Sequence, residues 1–155
     1  MKMRLWLALV LAVVMLWGCS SSDPFLEEEI NPNIDVLGIK LGMQEDQVHE
    51  LAGSIGEKAM CINGYEYQYA DKLINIGFTI DESKVRRVTT KNPDTSIFGI
   101  QPGMELAAAA AQLDQFGFTK DQTSEFKFHK ETVMLTLISM HGDLADGVSI
   151  ELRVE

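Results

Sequence analysis

The chain has 155 residues, with 13 Lys and Arg against 23 Asp and Glu, a formal charge of −10 at neutral pH. Charge of that sign repels nucleic acid and anionic lipid headgroups, so neither is an expected partner. The length supports one domain with a real core, or two small modules sharing one.

The N-terminus reads as a targeting segment. Lys2 and Arg4 precede an unbroken apolar run, Leu5 to Trp17, which ends in Gly18-Cys19. A charged start, an apolar stretch and a small residue at the cut make a secretory signal. The run is 13 residues long, short of the roughly 20 that cross a bilayer as a helix. A Cys placed directly after that Gly resembles the bacterial lipoprotein signal, or lipobox. The resemblance implies cleavage after Gly18, leaving residues 1–18 as a signal peptide, and acylation of Cys19 (palmitate among its chains). It places the protein on the extracytoplasmic side of a cell membrane or outer membrane, and Ser20 after Cys19 permits export to the latter.

Loss of Lys2 and Arg4 with the signal takes the formal charge to −12. The anchor must then be the acyl chains and not a basic patch. With Cys19 lipidated, Cys61 has no disulfide partner and is expected as a small, half-buried strand residue. Residues 19–34 are expected to be a flexible tether. They hold Ser20-Ser21-Ser22, Pro24, Pro32 and the acidic run Glu27-Glu28-Glu29, too little apolar surface to offset the entropy of ordering.

The remainder repeats. Gly38-Ile39-Lys40-Leu41-Gly42-Met43 matches Gly99-Ile100-Gln101-Pro102-Gly103-Met104 at an offset of 61 residues. Ile55-Gly56 then corresponds to Phe116-Gly117, and Glu66-Tyr67-Gln68-Tyr69 to Glu125-Phe126-Lys127-Phe128. These matches define two tandem units, residues 35–94 and 95–155.

Each unit opens with a short extended segment, Val36–Ile39 or Ser96–Ile100, and a glycine turn. A helix is expected next, over about Met43–Ala52 and about Met104–Phe116; the alanines 107–111 make the second a strong helix former. Gly56 and Gly117 stand where a helix end or the following turn wants positive φ. Period two then takes over. Asn63-Gly64 predicts a hairpin into Tyr65–Tyr69, and Ile74, Ile76, Phe78 and Ile80 share one strand face. Val85 and Val88 stand three apart, which predicts a bulge. In the second unit Phe126/Phe128, Val133/Leu135/Leu137 and Val148/Ile150/Leu152/Val154 alternate, with a turn at Asp146-Gly147.

The fold class is therefore α+β: two tandem helix-plus-antiparallel-meander repeats forming one compact unit. The turn-and-helix signature, Gly-x-x-x-Gly-Met followed by Ile/Phe-Gly and strands, resembles the SmpA/OmlA small-lipoprotein family. Its doubled form is similar to the β-lactamase inhibitory protein (BLIP-like) superfamily. The resemblance implies a cell-envelope domain that binds proteins without catalysis.

Motifs for chemistry are missing. His49, His129 and His141 show no metal-ligand spacing, and Cys61 has no neighbouring Cys or His, so no metal or cofactor is expected. Gly53-Ser54-Ile55-Gly56 is not a nucleophile elbow. Asp143 and Asp146 lie in a loop without EF-hand spacing and read as turn residues. Tyr65, Tyr67 and Tyr69 project to one strand face. They are the candidate partner-binding residues, with burial beneath the helices as the competing reading. The opposite, open face would carry Glu66, Gln68, Asn75, Thr79, Lys127, Thr136 and Glu151. The expected function is non-catalytic protein binding at the envelope, as an adaptor, assembly factor or inhibitor. The alternative is a small ligand or lipid held at the junction of the two repeats.

Overall fold

Alternating apolar side chains from Tyr65 to Phe78 and from Phe128 to Ile150 build the largest element, an eight-stranded antiparallel sheet. The computed structural model describes residues 23–140 and 142–153. Cys19, the signal peptide, Val154 and His141 lie outside the described residues. The elements run β1 (Ile34–Asp35), α1 (Glu45–Ala52), β2 (Glu57–Cys61), β3 (Gly64–Tyr69), β4 (Ile74–Phe78) and β5 (Val85–Thr90). Then follow β6 (Ser96–Ile97), α2 (Leu106–Gln115), β7 (Thr119–Lys120), β8 (Lys127–Lys130), β9 (Val133–Ile138) and β10 (Gly147–Leu152).

The spatial order of the sheet is β2-β3-β4-β5-β10-β9-β8-β7. Each run of four consecutive strands is a meander, and the two meet along β5–β10. There Val148 faces Thr90, Ser149 faces Thr89 and Ile150 faces Val88. A two-stranded ribbon, β1–β6, pairs Ile34 with Ile97 in the second layer, together with both helices. The class is mixed α and β.

One sheet face carries the core. Tyr69, Ile74, Ile76, Phe78, Val88, Leu135, Val148 and Ile150 join Val48, Ala52, Ala109 and Leu113 of the helices in one buried cluster. A fully buried side chain of this kind contributes about 1.5–3 kcal/mol. Both helices start two residues later than expected; α1 ends at Ala52 as expected, and α2 ends one residue early, at Gln115. Gln44 and Glu105, in extended conformation, precede α1 and α2, and the Gln44 N–H donates to Gln47 Oε1 at 3.2 Å. Gly42 and Gly103 (φ 84° and 98°) make the turns into the helices, a region that L side chains rarely adopt.

The anticipated bulge is present. Pairing passes from Gly77↔Arg87 to Phe78↔Val85, so Arg86 is the extra residue and both valines stay buried. Several expectations shift. The first hairpin pairs Cys61 with Gly64, so Ile62-Asn63 form the loop and Gly64 begins β3. A Cβ on Gly64 would lie 2.0 Å from the Phe78 carbonyl oxygen, so the glycine serves close strand approach. Gly53, with φ 68°, ends α1 in place of Gly56. Ile80 is 59% exposed, because β4 ends at Phe78.

Over its described part, residues 23–34, the tether is also corrected: the chain is helical from Pro24 onward. Leu26–Ile30 form a π-helical turn, Ile30 and Ile34 are buried, and Phe25 and Leu26 pack against the core. Asn31 explains why. Its side-chain amide donates to the Leu41 carbonyl at 3.1 Å and accepts from the Leu41 N–H at 3.0 Å. Few apolar residues suffice here because their spacing puts them on one face, which a composition argument does not register.

Candidate functional site

The three tyrosines alternate along β3, so all point to the same side, beneath α1. Tyr65 and Tyr67 are each 7% exposed and Tyr69 is 1% exposed. They belong to the core and are not an open recognition surface, which corrects their assignment as partner-binding residues. Buried phenols need partners, and α1 supplies them. Glu45 accepts from the Tyr65 hydroxyl and, at 2.8 Å, from the Tyr67 hydroxyl. His49 Nδ1 lies 2.8 Å from the Tyr69 hydroxyl, and His49 Nε2 lies 3.5 Å from Glu45.

Burial and the Glu45 hydrogen bond push the Tyr67 hydroxyl up to about 12. Burial would raise the Glu45 carboxyl, but the bonds from Tyr65 and Tyr67 outweigh it and hold the group below its usual range. Lys58 Nζ sits 3.9 Å from the Tyr65 ring centre, a cation over the π face. Cys61, on edge strand β2, is half-buried and reduced. Asp146 acts in its loop, accepting from the Met140 N–H at 2.6 Å.

The other sheet face bears no helix, and its side chains form two ladders across the strands. One runs Gln68, Asn75, Thr89, Ser149, Thr136, Lys127, each opposite the next. Within it Thr89 Oγ1 and Ser149 Oγ are 2.8 Å apart, a bond across the β5–β10 seam. The second ladder holds Glu66, Gly77, Arg87, Glu151, Met134 and His129. Arg87 reaches across β4 to Glu66 at 2.6 Å and lies 3.8 Å from Glu151. Gly77 makes that reach possible, since a Cβ there would stand 3.2 Å from the Arg87 Cβ and 3.4 Å from its Nε. The residues expected on the open face are thus found there, apart from Thr79, which lies beyond the end of β4. Arg87 and Thr89 were missed because the bulge at Arg86 breaks the alternation that starts from Val85; Ser149 follows from the regular alternation of β10 and was simply not named.

The seam itself is packed on the covered side: Val88, Thr90, Val148 and Ile150 are all 0% exposed. Among the described residues, no helix is long and apolar enough to cross a membrane.

No protein-family model and no curated protein sequence matches the chain. Among solved structures, the fold is similar to that of an extracellular protein containing a SCP domain from Bacillus anthracis str. Ames, with 11% identity and a TM-score of 0.57. The match covers 72% of this chain and 43% of that one, so the likeness spans less than half of that protein's length. At this identity it shows a shared fold and nothing about activity.

Proposed function

We propose that the protein is a lipid-anchored, extracytoplasmic bacterial lipoprotein. On this reading it binds another envelope protein without catalysis, through the uncovered face of its sheet. The observation that carries the binding surface is the asymmetry of the sheet: one face holds the core and both helices, while the other presents two ordered polar ladders. Such a face is rigid because its strands are fixed by the core behind it, so little side-chain freedom is lost on docking. The anchor rests on the Leu5–Cys19 pattern and its likeness to the lipoprotein signal.

The same reading takes the chain as a duplication related to the SmpA/OmlA and BLIP-like proteins. Support comes from matching backbone bonds on each side. Gly42 N–H donates to Val85 O (2.8 Å) and Gly103 N–H to Ala145 O (2.7 Å); Val85 N–H donates to Met43 O and Ala145 N–H to Met104 O, both 2.8 Å. The packed covered side of the seam weighs against an apolar ligand chamber between the units.

The test is affinity capture from membranes with the lipidated protein. Gln68→Arg with Lys127→Glu adds a charge at one exposed position of the ladder and reverses one at another, and is expected to lose the partner while melting like the wild type. Tyr67→Ala is expected to melt lower yet keep the partner below its melting range. The opposite pattern would contradict the proposal.

A further inference from the structure

On the uncovered face, where the two meanders meet, a cleft of about 340 Å³ is lined by Asn63, Arg86, His129, Met134, Glu151, Leu152 and Arg153. Its lining gathers two arginines and a histidine against one acid, in a chain of net charge −10. Glu151 is engaged by Arg87 at 3.8 Å. Among the described residues, no carboxylate pairs with Arg86. The bulge in β5 places Arg86 there: as the residue left out of the Gly77↔Arg87 and Phe78↔Val85 pairs, its side chain is re-aimed from the ladder.

His129 enters from β8. Its Nε2 donates to Asp121 Oδ2 at 2.6 Å, which fixes the ring. Asp121 is held below the usual carboxylate range by Thr123 first and His129 second. The other ring nitrogen, Nδ1, is buried without a protein partner. Met134 and Leu152 add an apolar wall beside these polar groups.

We propose that this cleft receives an acidic side chain of the protein partner, its carboxylate held by Arg86 and Arg153 and its methylenes laid against Met134 and Leu152. The inference rests on the uncovered face being the docking surface and names the chemistry that face selects. Two guanidiniums, one from β5 and one just past the end of β10, suit a planar carboxylate. A free phosphate is the poorer occupant, because it carries up to two negative charges beside Glu151. Asn63 supplies a further donor at the rim.

The experiment titrates the full processed chain with three probes and follows backbone amide NMR shifts. The probes are an acetylated, amidated pentapeptide with one central glutamate, its glutamine counterpart, and inorganic phosphate. The glutamate peptide is expected to move the amides of Arg86, His129 and Arg153, and the glutamine peptide to leave them unmoved. Arg86→Gln, at a partly exposed position, and Arg153→Gln, at an exposed one, should each weaken peptide binding by about tenfold, since charge-assisted bonds are the strong ones. Phosphate shifting these amides while the peptide does not, or no probe shifting them, would overturn the proposal.

Membrane capture separates the two readings. If the double Arg variant loses the peptide but keeps the partner, the docking face stands and the cleft's role in it falls. If the peptide binds but Gln68→Arg with Lys127→Glu leaves capture unchanged, the docking face falls and the cleft stands as a carboxylate site.

Discussion

Under α1 the sheet presents Tyr65, Tyr67 and Tyr69, and the helix offers Glu45 and His49 to their hydroxyls. Around α2 the aromatic residues are Phe98, Phe116, Phe118 and Phe126. Phe98 packs edge-on against Phe116 and Phe118 at 5.0 and 4.9 Å. The residues 61 positions after Glu45 and His49 are Leu106 and Ala110, which line a small hollow with Phe126 and Leu137, closed by Lys120 and Glu125. Polar helix residues therefore accompany phenols, and apolar ones accompany phenyls. The contrast teaches that a buried hydroxyl dictates the chemistry of whatever packs on it, whichever helix covers the sheet.

The largest effect should come from the ring that supports the tyrosine side. Phe78 is 0% exposed, stacks on Tyr65 at 5.5 Å and meets Tyr67 edge-on at 5.8 Å. Phe78→Ala should lower unfolding stability by about 3–5 kcal/mol in denaturant titration. Next is a swap that copies the second half into the first. Glu45→Leu strands two phenols and should cost about 1–3 kcal/mol. Adding Tyr65→Phe and Tyr67→Phe should recover most of that loss, a non-additivity that a double-mutant analysis reads directly. Additive losses would break the comparison.

The pH dependence sharpens it. The Glu45 pKa is depressed in the fold, so its stabilisation is present above the unfolded value and lost as pH falls through the folded one. Tyr67 is raised to about 12 from about 10, so its contribution is present below pH 10 and lost as pH rises through 12. The triple variant should flatten both limbs of stability against pH relative to the wild type. The smallest effect concerns the far ends of the helices. Gln112 Nε2 donates to the Phe98 carbonyl at 2.6 Å, while Leu51, 61 positions earlier, is 45% exposed. Gln112→Leu should cost about 0.5–1.5 kcal/mol in thermal melts, and Leu51→Gln close to nothing.

Much of this architecture was legible in the residues. Strand alternation located β3, β4, β9 and β10, the alanine run located α2, and Val85 and Val88 standing three apart located the bulge. What was not legible depends on contacts distant in sequence. Alternation puts the tyrosines on one face but does not say which face α1 covers, and nothing local marks Glu45 and His49 as partners of phenols 20 to 22 positions on. The same holds for Asn31, whose two bonds to Leu41 span ten residues and convert an acidic, proline-bearing segment into part of the core. The seam between β5 and β10 joins residues 60 apart in the Thr89–Ser149 pair, and local pattern carries no signal for it.

The central claim is that the face without helices is the one that meets another protein. Site-specific photo-crosslinking in intact bacterial membranes tests it most directly, with the reactive side chain placed at Thr89 on the uncovered face or at Ala108 on the exposed side of α2. The account predicts a discrete cross-linked envelope protein from position 89 and none from position 108. Cross-linking from position 108 with none from position 89 would contradict it.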